Sequence, residues 1–168
     1  MGDLIANRPR FFSLLTTLVL AFSFAGPGQA QELEGFWDDP FKDLHADVEE
    51  ARASGKAGVF AFFEMDECPF CHRMKTQVFT DPDVQAYIDE HFVTVSIDIE
   101  GDVVMTDPSG EQIKEKAFAF EKYRVRATPV MIFFDTEGEP ALRYTGPTQS
   151  PEEFLLLMKF VVSGAYQE

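Results

Sequence analysis

The chain has 168 residues, of which 45% are hydrophobic, and its formal net charge at pH 7 is −15. This length suits one domain with a substantial core, and the hydrophobic content argues against a disordered chain. The strong negative charge repels nucleic acid and anionic lipid surfaces, so we expect no nucleic-acid partner.

Residues 1–30 predict a secretory signal peptide. Two arginines precede an apolar run at residues 11–25, and small residues stand at Gly28 and Ala30. The run has about fifteen residues, fewer than the roughly twenty that a membrane-spanning helix needs. We therefore predict cleavage after Ala30, a periplasmic mature chain of residues 31–168, and no stable membrane insertion afterwards. A retained N-terminal anchor is the alternative.

The first half of the mature chain predicts a helix, a strand, two helices and a second strand. Residues 38–40 have the order of a helix cap followed by a first-turn proline, so the first helix should run from there to about Gly55. The apolar run at 59–63 predicts a buried strand, and two helices follow across 71–92. The alternating run at 93–97 predicts a strand parallel to the first.

The second half predicts a small hairpin, a helix, two antiparallel strands and a last helix. The hairpin lies at residues 101–110, and the strands lie at 130–134 and 142–145. Ser150 is the predicted cap of the last helix. Three apolar residues at helical spacing predict one face of the preceding helix: Ile113, Ala117 and Phe120. The order predicts a mixed sheet between helices.

The chain has two cysteines, Cys68 and Cys71. A disulfide across so short a loop restrains the unfolded chain weakly, so we interpret the pair as chemical rather than structural. Cys68 follows a predicted strand and precedes a helix, where free N–H groups stabilise a thiolate. Cys68 is therefore the predicted nucleophile of thiol–disulfide exchange, and Cys71 is the predicted resolving residue.

Neighbouring residues are candidate substrate contacts and modulators of the pair. Pro69 removes an N–H that the first helical turn would leave unpaired, and Phe70 supplies an apolar tip for a partner protein. Acidic residues before the pair, Glu64 among them, disfavour a thiolate at Cys68, whereas the helix terminus and His72 favour it.

Thr128 and Pro129 stand directly before the strand predicted at 130–134. A proline cannot donate a ladder hydrogen bond, so this one must occupy a turn or the first position of a strand. A cis peptide bond is one way to make that turn, although trans is the commoner form.

Two motifs together resemble the thioredoxin superfamily. They are the Cys-x-x-Cys motif at residues 68–71, after the first core strand, and Thr128-Pro129, before the third core strand. The resemblance covers roughly residues 56–166. It implies an α/β thioredoxin fold in residues 31–168, a central mixed sheet flanked by helices, here with an N-terminal helix and a small hairpin insertion. It also implies that Pro129 is cis and packs against the cysteines, that the backbone of Thr128 pairs with a substrate strand, and that no cofactor or metal is required.

Several shorter motifs are similar to the periplasmic thioredoxins found with bacterial sulfur oxidation. They are Phe63-Glu64, residues 79–84, residues 99–102 and the C-terminal residues 160–166. This similarity implies a dithiol that exchanges electrons with protein thiols and disulfides and is kept reduced by a membrane or periplasmic electron-transfer partner. It favours a reductase.

The sequence departs from the thioredoxin pattern at two positions. Phe62 stands where thioredoxin carries a buried aspartate, and Glu67 replaces the usual tryptophan before the first cysteine. The usual route for deprotonating the resolving thiol is therefore absent. Glu64 is the candidate substitute, acting through water.

The main alternative is a c-type haem protein, because Cys68, Cys71 and His72 also form the motif for haem attachment. Haem would need thioether bonds to both cysteines and an axial histidine. Small cytochromes are mostly helical, and the three predicted core strands argue against this interpretation.

Two further alternatives are a zinc site and a redox-inactive binding module or chaperone. Zinc would need two more ligands, and His45 and His91 show no recognised spacing from the cysteines. The intact cysteine pair argues against a module that has lost its redox chemistry.

Overall fold

The structure is a computed structural model that describes residue 33 and residues 35–39 and 41–167. The predicted signal peptide and its cleavage after Ala30 lie outside the described residues and stay predictions. In the part of the chain that is described, no helix is both long enough and apolar enough to cross a membrane.

Five α-helices and six strands form the described part of the fold. The helices are α1 (Leu44–Ser54), α2 (Pro69–Arg73), α3 (Pro82–His91), α4 (Glu115–Ala117) and α5 (Pro151–Val162). The strands are β1 (Gly58–Glu64), β2 (Phe92–Asp98), β3 (Val104–Thr106), β4 (Gln112–Lys114), β5 (Val130–Phe134) and β6 (Pro140–Thr145). Two π-helical turns continue α2 and α4, at Met74–Val78 and Phe118–Lys122.

Four strands form the central sheet, in the order β2-β1-β5-β6. β1 runs parallel to β2 and antiparallel to β5, and β5 runs antiparallel to β6. The register places Phe62 opposite Ser96 on one side and Met131 on the other. The predicted mixed sheet with flanking helices is therefore confirmed.

β1 is buried on both faces, and its side chains alternate between two cores. Phe63 and its alternate neighbours pack with Leu44 and Val48 of α1, and we call this cluster the α1-side core. Phe60 and Phe62 pack with Cys68, Cys71, Phe79 and Phe154 on the other face, and we call that cluster the disulfide-side core. The sheet therefore separates α1 from the cysteine pair.

α1 begins later than the sequence predicted. Its N-cap is Asp43, whose side chain accepts the N–H of Ala46 at 3.1 Å. Lys42 lies in the left-handed region, with φ 57°, which interrupts a right-handed helix. The carboxylate of Asp39 accepts the N–H groups of Phe41 and Asp43 in a local turn. The prediction of a helix starting at residues 38–40 was wrong, whereas the predicted end at Gly55 is confirmed.

The predicted hairpin is present, and it extends four residues beyond Gly110. β3 and β4 pair antiparallel around a turn in which the N–H of Gly110 donates to the carbonyl of Asp107 at 2.9 Å. The Asp107 carboxylate accepts the N–H groups of Ser109 and Glu111 and pairs with Lys122. These bonds fix the hairpin against the turn that follows α4.

The helix predicted on Ile113, Ala117 and Phe120 is short and presents a different face. Ile113 lies in β4, and the α-helix becomes a π-helix at Phe118, where the N–H of Tyr123 bonds to the Phe118 carbonyl. A π-helical turn changes which side chains point inward. Phe118 is buried and Phe120 is 51% exposed, so the predicted buried face was wrong at Phe120.

Candidate active site

Cys68 and Cys71 are joined by a disulfide with a Cα–Cα distance of 5.2 Å. Cys68 is the N-cap of α2, and its sulfur accepts the N–H of Cys71 at 3.0 Å. Cys68 is 6% exposed and Cys71 is 1% exposed. Cys68 is therefore the more exposed residue of the pair, and after reduction its sulfur lies where helix N–H groups stabilise a thiolate.

Local sequence explains why the cysteines sit at this position. β1 ends at Glu64, and Pro69 occupies the first turn of α2, where its missing N–H costs no hydrogen bond. Phe70 is 56% exposed and lies between the two cysteines in the chain. The structure thus presents an apolar ring to solvent beside the disulfide.

Glu64 lies at the end of β1, on the face that carries Phe60 and Phe62. Its carboxylate pairs with Lys75 at 2.5 Å and accepts the hydroxyl of Ser96 at 2.6 Å. The Glu64 side chain is 16% exposed, so its charge is largely removed from water and compensated by one lysine. Lys75 lies one helical turn after Cys71, which places this ion pair beside the segment that carries the resolving sulfur.

Lys75 and Ser96 were not among the predicted site residues. The spacing of four between Cys71 and Lys75 was a usable signal, because residues at that spacing share a helix face. Ser96 reaches Glu64 only because β2 pairs with β1 in the observed register, which no local pattern gives.

The remaining charged neighbours of the cysteines lie nearer to solvent. Asp66, Glu67 and His72 are exposed. The guanidinium of Arg73 donates to the carbonyl of Gln149 at 2.9 Å, which ties α2 to the loop before α5. Solvent screening weakens the influence of the exposed groups on a thiolate at Cys68, including that of His72.

The Thr128–Pro129 peptide bond is cis, as the resemblance implied. Val130 pairs with Phe63 near the end of β1. Thr128 and Pro129 therefore lie at the end of the sheet from which the cysteine segment leaves β1. Pro129 is buried, and its carbonyl accepts the N–H of Gly146 at 2.9 Å. The hydroxyl of Thr128 is buried without a partner among the described residues.

The sequence's other candidate ligands lie apart from the cysteines. His45 bonds to the carbonyl of Pro108 at 3.1 Å, and the ring of His91 packs at a tilt against that of Tyr87. Among the described residues, no group of three or more histidine, cysteine or acidic side chains is arranged to hold a metal ion. Both cysteine sulfurs are bonded to each other, which is incompatible with thioether bonds to haem in this form.

Residues 44–162 match the family model of a thioredoxin-like domain. The chain belongs to this family. A search of curated proteins finds no match. The match to the family model confirms the superfamily resemblance, while the narrower similarity to thioredoxins of sulfur oxidation stays a prediction.

Solved structures with a similar fold come from several bacteria. A thioredoxin-fold protein from Helicobacter pylori has 23% identity and a TM-score of 0.63, over 83% of this chain and 84% of that chain. A thioredoxin from Thermus thermophilus has 28% identity and a TM-score of 0.54, over 71% and 84%. A putative disulphide-isomerase from Bacteroides thetaiotaomicron has 28% identity and a TM-score of 0.54, over 75% and 90%.

Proposed function

We propose that this protein is an exported thiol–disulfide oxidoreductase that reduces disulfides in other proteins. The observation that carries the proposal is the Cys68–Cys71 disulfide at the start of a helix, with the Cys68 sulfur accepting a helix N–H. The similarity to a thioredoxin and to a putative disulphide-isomerase, at 28% identity each, supports exchange with protein substrates.

The proposed reaction transfers two electrons from the reduced cysteine pair to a substrate disulfide. The Cys68 thiolate attacks one substrate sulfur, the substrate S–S bond breaks, and the departing substrate thiolate takes a proton from water. Cys71 then loses its proton and attacks the Cys68 sulfur in the mixed disulfide. That bond breaks, the second substrate thiol leaves, and the Cys68–Cys71 disulfide forms.

The substrate contacts in this proposal surround the disulfide. Pro69 and the exposed ring of Phe70 provide an apolar platform on α2. Thr128 and Pro129 lie at the end of the sheet where the cysteine segment leaves β1. The backbone of Thr128 pairs there with an extended substrate segment, as the resemblance to thioredoxins implies. A membrane or periplasmic dithiol protein returns two electrons to Cys68–Cys71 after each cycle.

Glu64 is the proposed proton acceptor for Cys71. The disulfide-side core holds Phe62 at the position of the thioredoxin aspartate, so no carboxylate is buried there. Glu64 lies on the same face of β1, and its pairing with Lys75 places its carboxylate next to the turn that follows Cys71. A carboxylate in this position accepts the Cys71 proton through one water as the mixed disulfide resolves.

The proposed activity is tested by the reduction potential of the purified protein in glutathione and dithiothreitol buffers, after its visible spectrum has been recorded. We expect no haem absorbance and a two-electron transition at or below about −270 mV, lost in Cys68→Ser. A transition near about −120 mV would make the protein a disulfide donor. A haem band, or no reversible transition, would refute the proposal.

Export is tested separately, by fractionating cells that express the full chain and sequencing the N-terminus of the protein recovered. Release with the periplasmic contents and a start at Gln31 are expected. Recovery only with membranes would indicate a retained anchor, and recovery with the cytoplasm would contradict export.

The role of Glu64 is tested by single-turnover resolution of a mixed disulfide on Cys68. Glu64→Gln is expected to slow resolution by about a hundredfold while leaving attack by Cys68 nearly unchanged. Glu67→Gln is the matched control, because it makes the same replacement at an exposed acid directly before Cys68. An unchanged resolution rate in Glu64→Gln would exclude this role.

A further inference from the structure

A cleft lined mainly by acidic residues lies at the start of α1, with a volume of about 580 Å³. We call it the acidic cleft. Its lining residues are Asp38, Asp39, Phe41, Asp43, Ala46, Asp47 and Glu50. It lies between the start of α1 and the edge strand β2, where Asp38 hydrogen-bonds to Thr94.

Asp47 distinguishes this cleft from an ordinary acidic surface. Asp47 is 6% exposed, and its Oδ2 atom is buried with no hydrogen-bond partner among the described residues. Burying an ionised carboxylate without a partner is costly. Burial, followed by the charge of Asp39, a side-chain hydrogen bond between the protonated Asp47 and Asp39, and the charges of Glu50 and Asp43, raises the pKa of Asp47 to about 8.

The basic residues next to these acids in the chain pair with carboxylates outside the cleft. Lys42 pairs with Glu115, and Arg52 pairs with Glu49. Within residues 35–39 and 41–167, none of the five cleft carboxylates takes part in an ion pair. The cleft therefore has a deficit of positive charge that a group from outside can supply.

Backbone hydrogen bonds hold the other carboxylates of the cleft in place. Asp38 accepts the N–H of Thr94 at 3.0 Å, and Asp39 accepts the N–H of Phe41 at 2.6 Å. Asp43 caps α1. These bonds orient the acids before any ligand arrives, so binding orders few additional groups.

Phe41 adds an apolar surface to the cleft. It is 84% exposed, whereas ten of the fourteen described phenylalanines are buried. An arginine guanidinium combines the two properties that the cleft complements, because it binds carboxylates through paired N–H groups and stacks on aromatic rings.

We propose that the acidic cleft binds an arginine side chain of a partner protein, with the guanidinium on Asp47 and Asp39 and against Phe41. The arginine supplies the missing counter-charge, and Asp47 releases its proton when the cation binds. Because α1 and the cysteine pair pack on opposite faces of the sheet, a partner held at α1 leaves Cys68 accessible. The proposal does not depend on the direction of electron flow.

The probes are the peptides acetyl-Leu-Arg-Leu-amide and the same peptide with citrulline, which keeps the shape and removes the charge. We expect the arginine peptide to shift the NMR signals of cleft residues and to bind about tenfold more tightly than the citrulline peptide. The carboxyl signal of Asp47 is expected to titrate at lower pH when the arginine peptide is bound.

Three variants test the assignment. Asp47→Asn is expected to weaken the arginine peptide by about tenfold. Phe41→Ala, at an exposed position that cannot affect the core, is expected to weaken it by a few-fold. Asp89→Asn removes an exposed acid that does not line the cleft and should leave binding unchanged. An unchanged reduction potential shows that each variant is folded.

Several results would overturn the proposal. They are equal binding of both peptides, signal shifts confined to residues outside the cleft, and undiminished binding by Asp47→Asn together with Phe41→Ala. Saturable Ca²⁺ binding at the cleft that the arginine peptide does not displace would identify a cation site instead.

Discussion

Replacing Asp47 by asparagine should make the protein more stable at neutral and alkaline pH. Burial raises the pKa of Asp47 to about 8, from an ordinary value of 3.8. Between these two pH values the folded protein holds a proton on Asp47 that the unfolded chain has released. The free energy of unfolding of the wild-type protein therefore falls as pH rises from about 4 to about 8.

The magnitude follows from the size of the pKa difference. At pH 7 the solution lies about three units above the unfolded pKa, and each unit corresponds to about 1.4 kcal/mol, so the cost is about 4 kcal/mol. Asparagine keeps the shape of the side chain and cannot ionise. Because the surrounding carboxylates can relax, we expect a gain of about 2–4 kcal/mol for Asp47→Asn at pH 7.

Urea unfolding at several values from about pH 5 to about pH 8 measures this difference. Trp37 is the single tryptophan and stacks on Phe62 at 5.9 Å, so its fluorescence reports loss of the disulfide-side core. The difference between variant and wild type isolates Asp47, because every other titratable group is common to both proteins. Asp89→Asn is the control, with the same replacement at an exposed position.

A parallel loss of stability in the two proteins as pH rises would show that Asp47 is not the group responsible. If Asp89→Asn flattens the pH dependence as much as Asp47→Asn, the effect comes from net charge rather than from burial.

Three further substitutions test other parts of the structure. Phe70→Ala should change stability by less than about 0.5 kcal/mol but lower kcat/KM several-fold for a protein disulfide and not for a small one; equal losses for both would contradict a docking role. Gly58→Ala should cost more than about 3 kcal/mol in urea unfolding, because its Cβ would lie 1.8 Å from the Phe134 carbonyl oxygen at φ 151°; a near-neutral result would refute this packing. Lys42→Met should cost about 3 kcal/mol because it leaves the buried Glu115 carboxylate without its counter-charge, and adding Glu115→Gln should recover part of the loss; additive losses would contradict the pairing.

Helix starts were predictable where one local signal decides them. Asp81 and Ser150 each cap a helix whose next residue is proline, and α3 and α5 begin there. The start of α1 was not predictable in the same way, because two aspartates compete to cap it. Asp39 takes the backbone N–H groups of a preceding turn, and Asp43 caps the helix.

The reactive atoms of the site were predictable, and their supporting contacts were not. Cys68 and Cys71 are identified by spacing and by their place between a strand and a helix, which are local properties. The partners of Glu64 depend on which strand lies beside β1 and in which register, so Ser96 is visible only in the folded chain. The burial of Asp47 is likewise a tertiary property. The sequence pattern predicts that Asp47, next to the buried Val48, lies on the polar face of an amphipathic helix.

The carboxyl groups of Glu64, Glu115 and Asp47 differ in how their charge is compensated. Glu64 and Glu115 are both removed from most solvent, and each pairs with a lysine. Asp47 is also buried, but among the described residues nothing positive reaches it, and its neighbours in the cleft are acids. A buried charge with an internal partner gains little from an external one, whereas an uncompensated carboxylate gains a large part of its lost solvation when a cation arrives. A cation at the acidic cleft therefore competes with protonation of Asp47, and the pH dependence of stability and the binding of the arginine peptide report the same missing counter-charge.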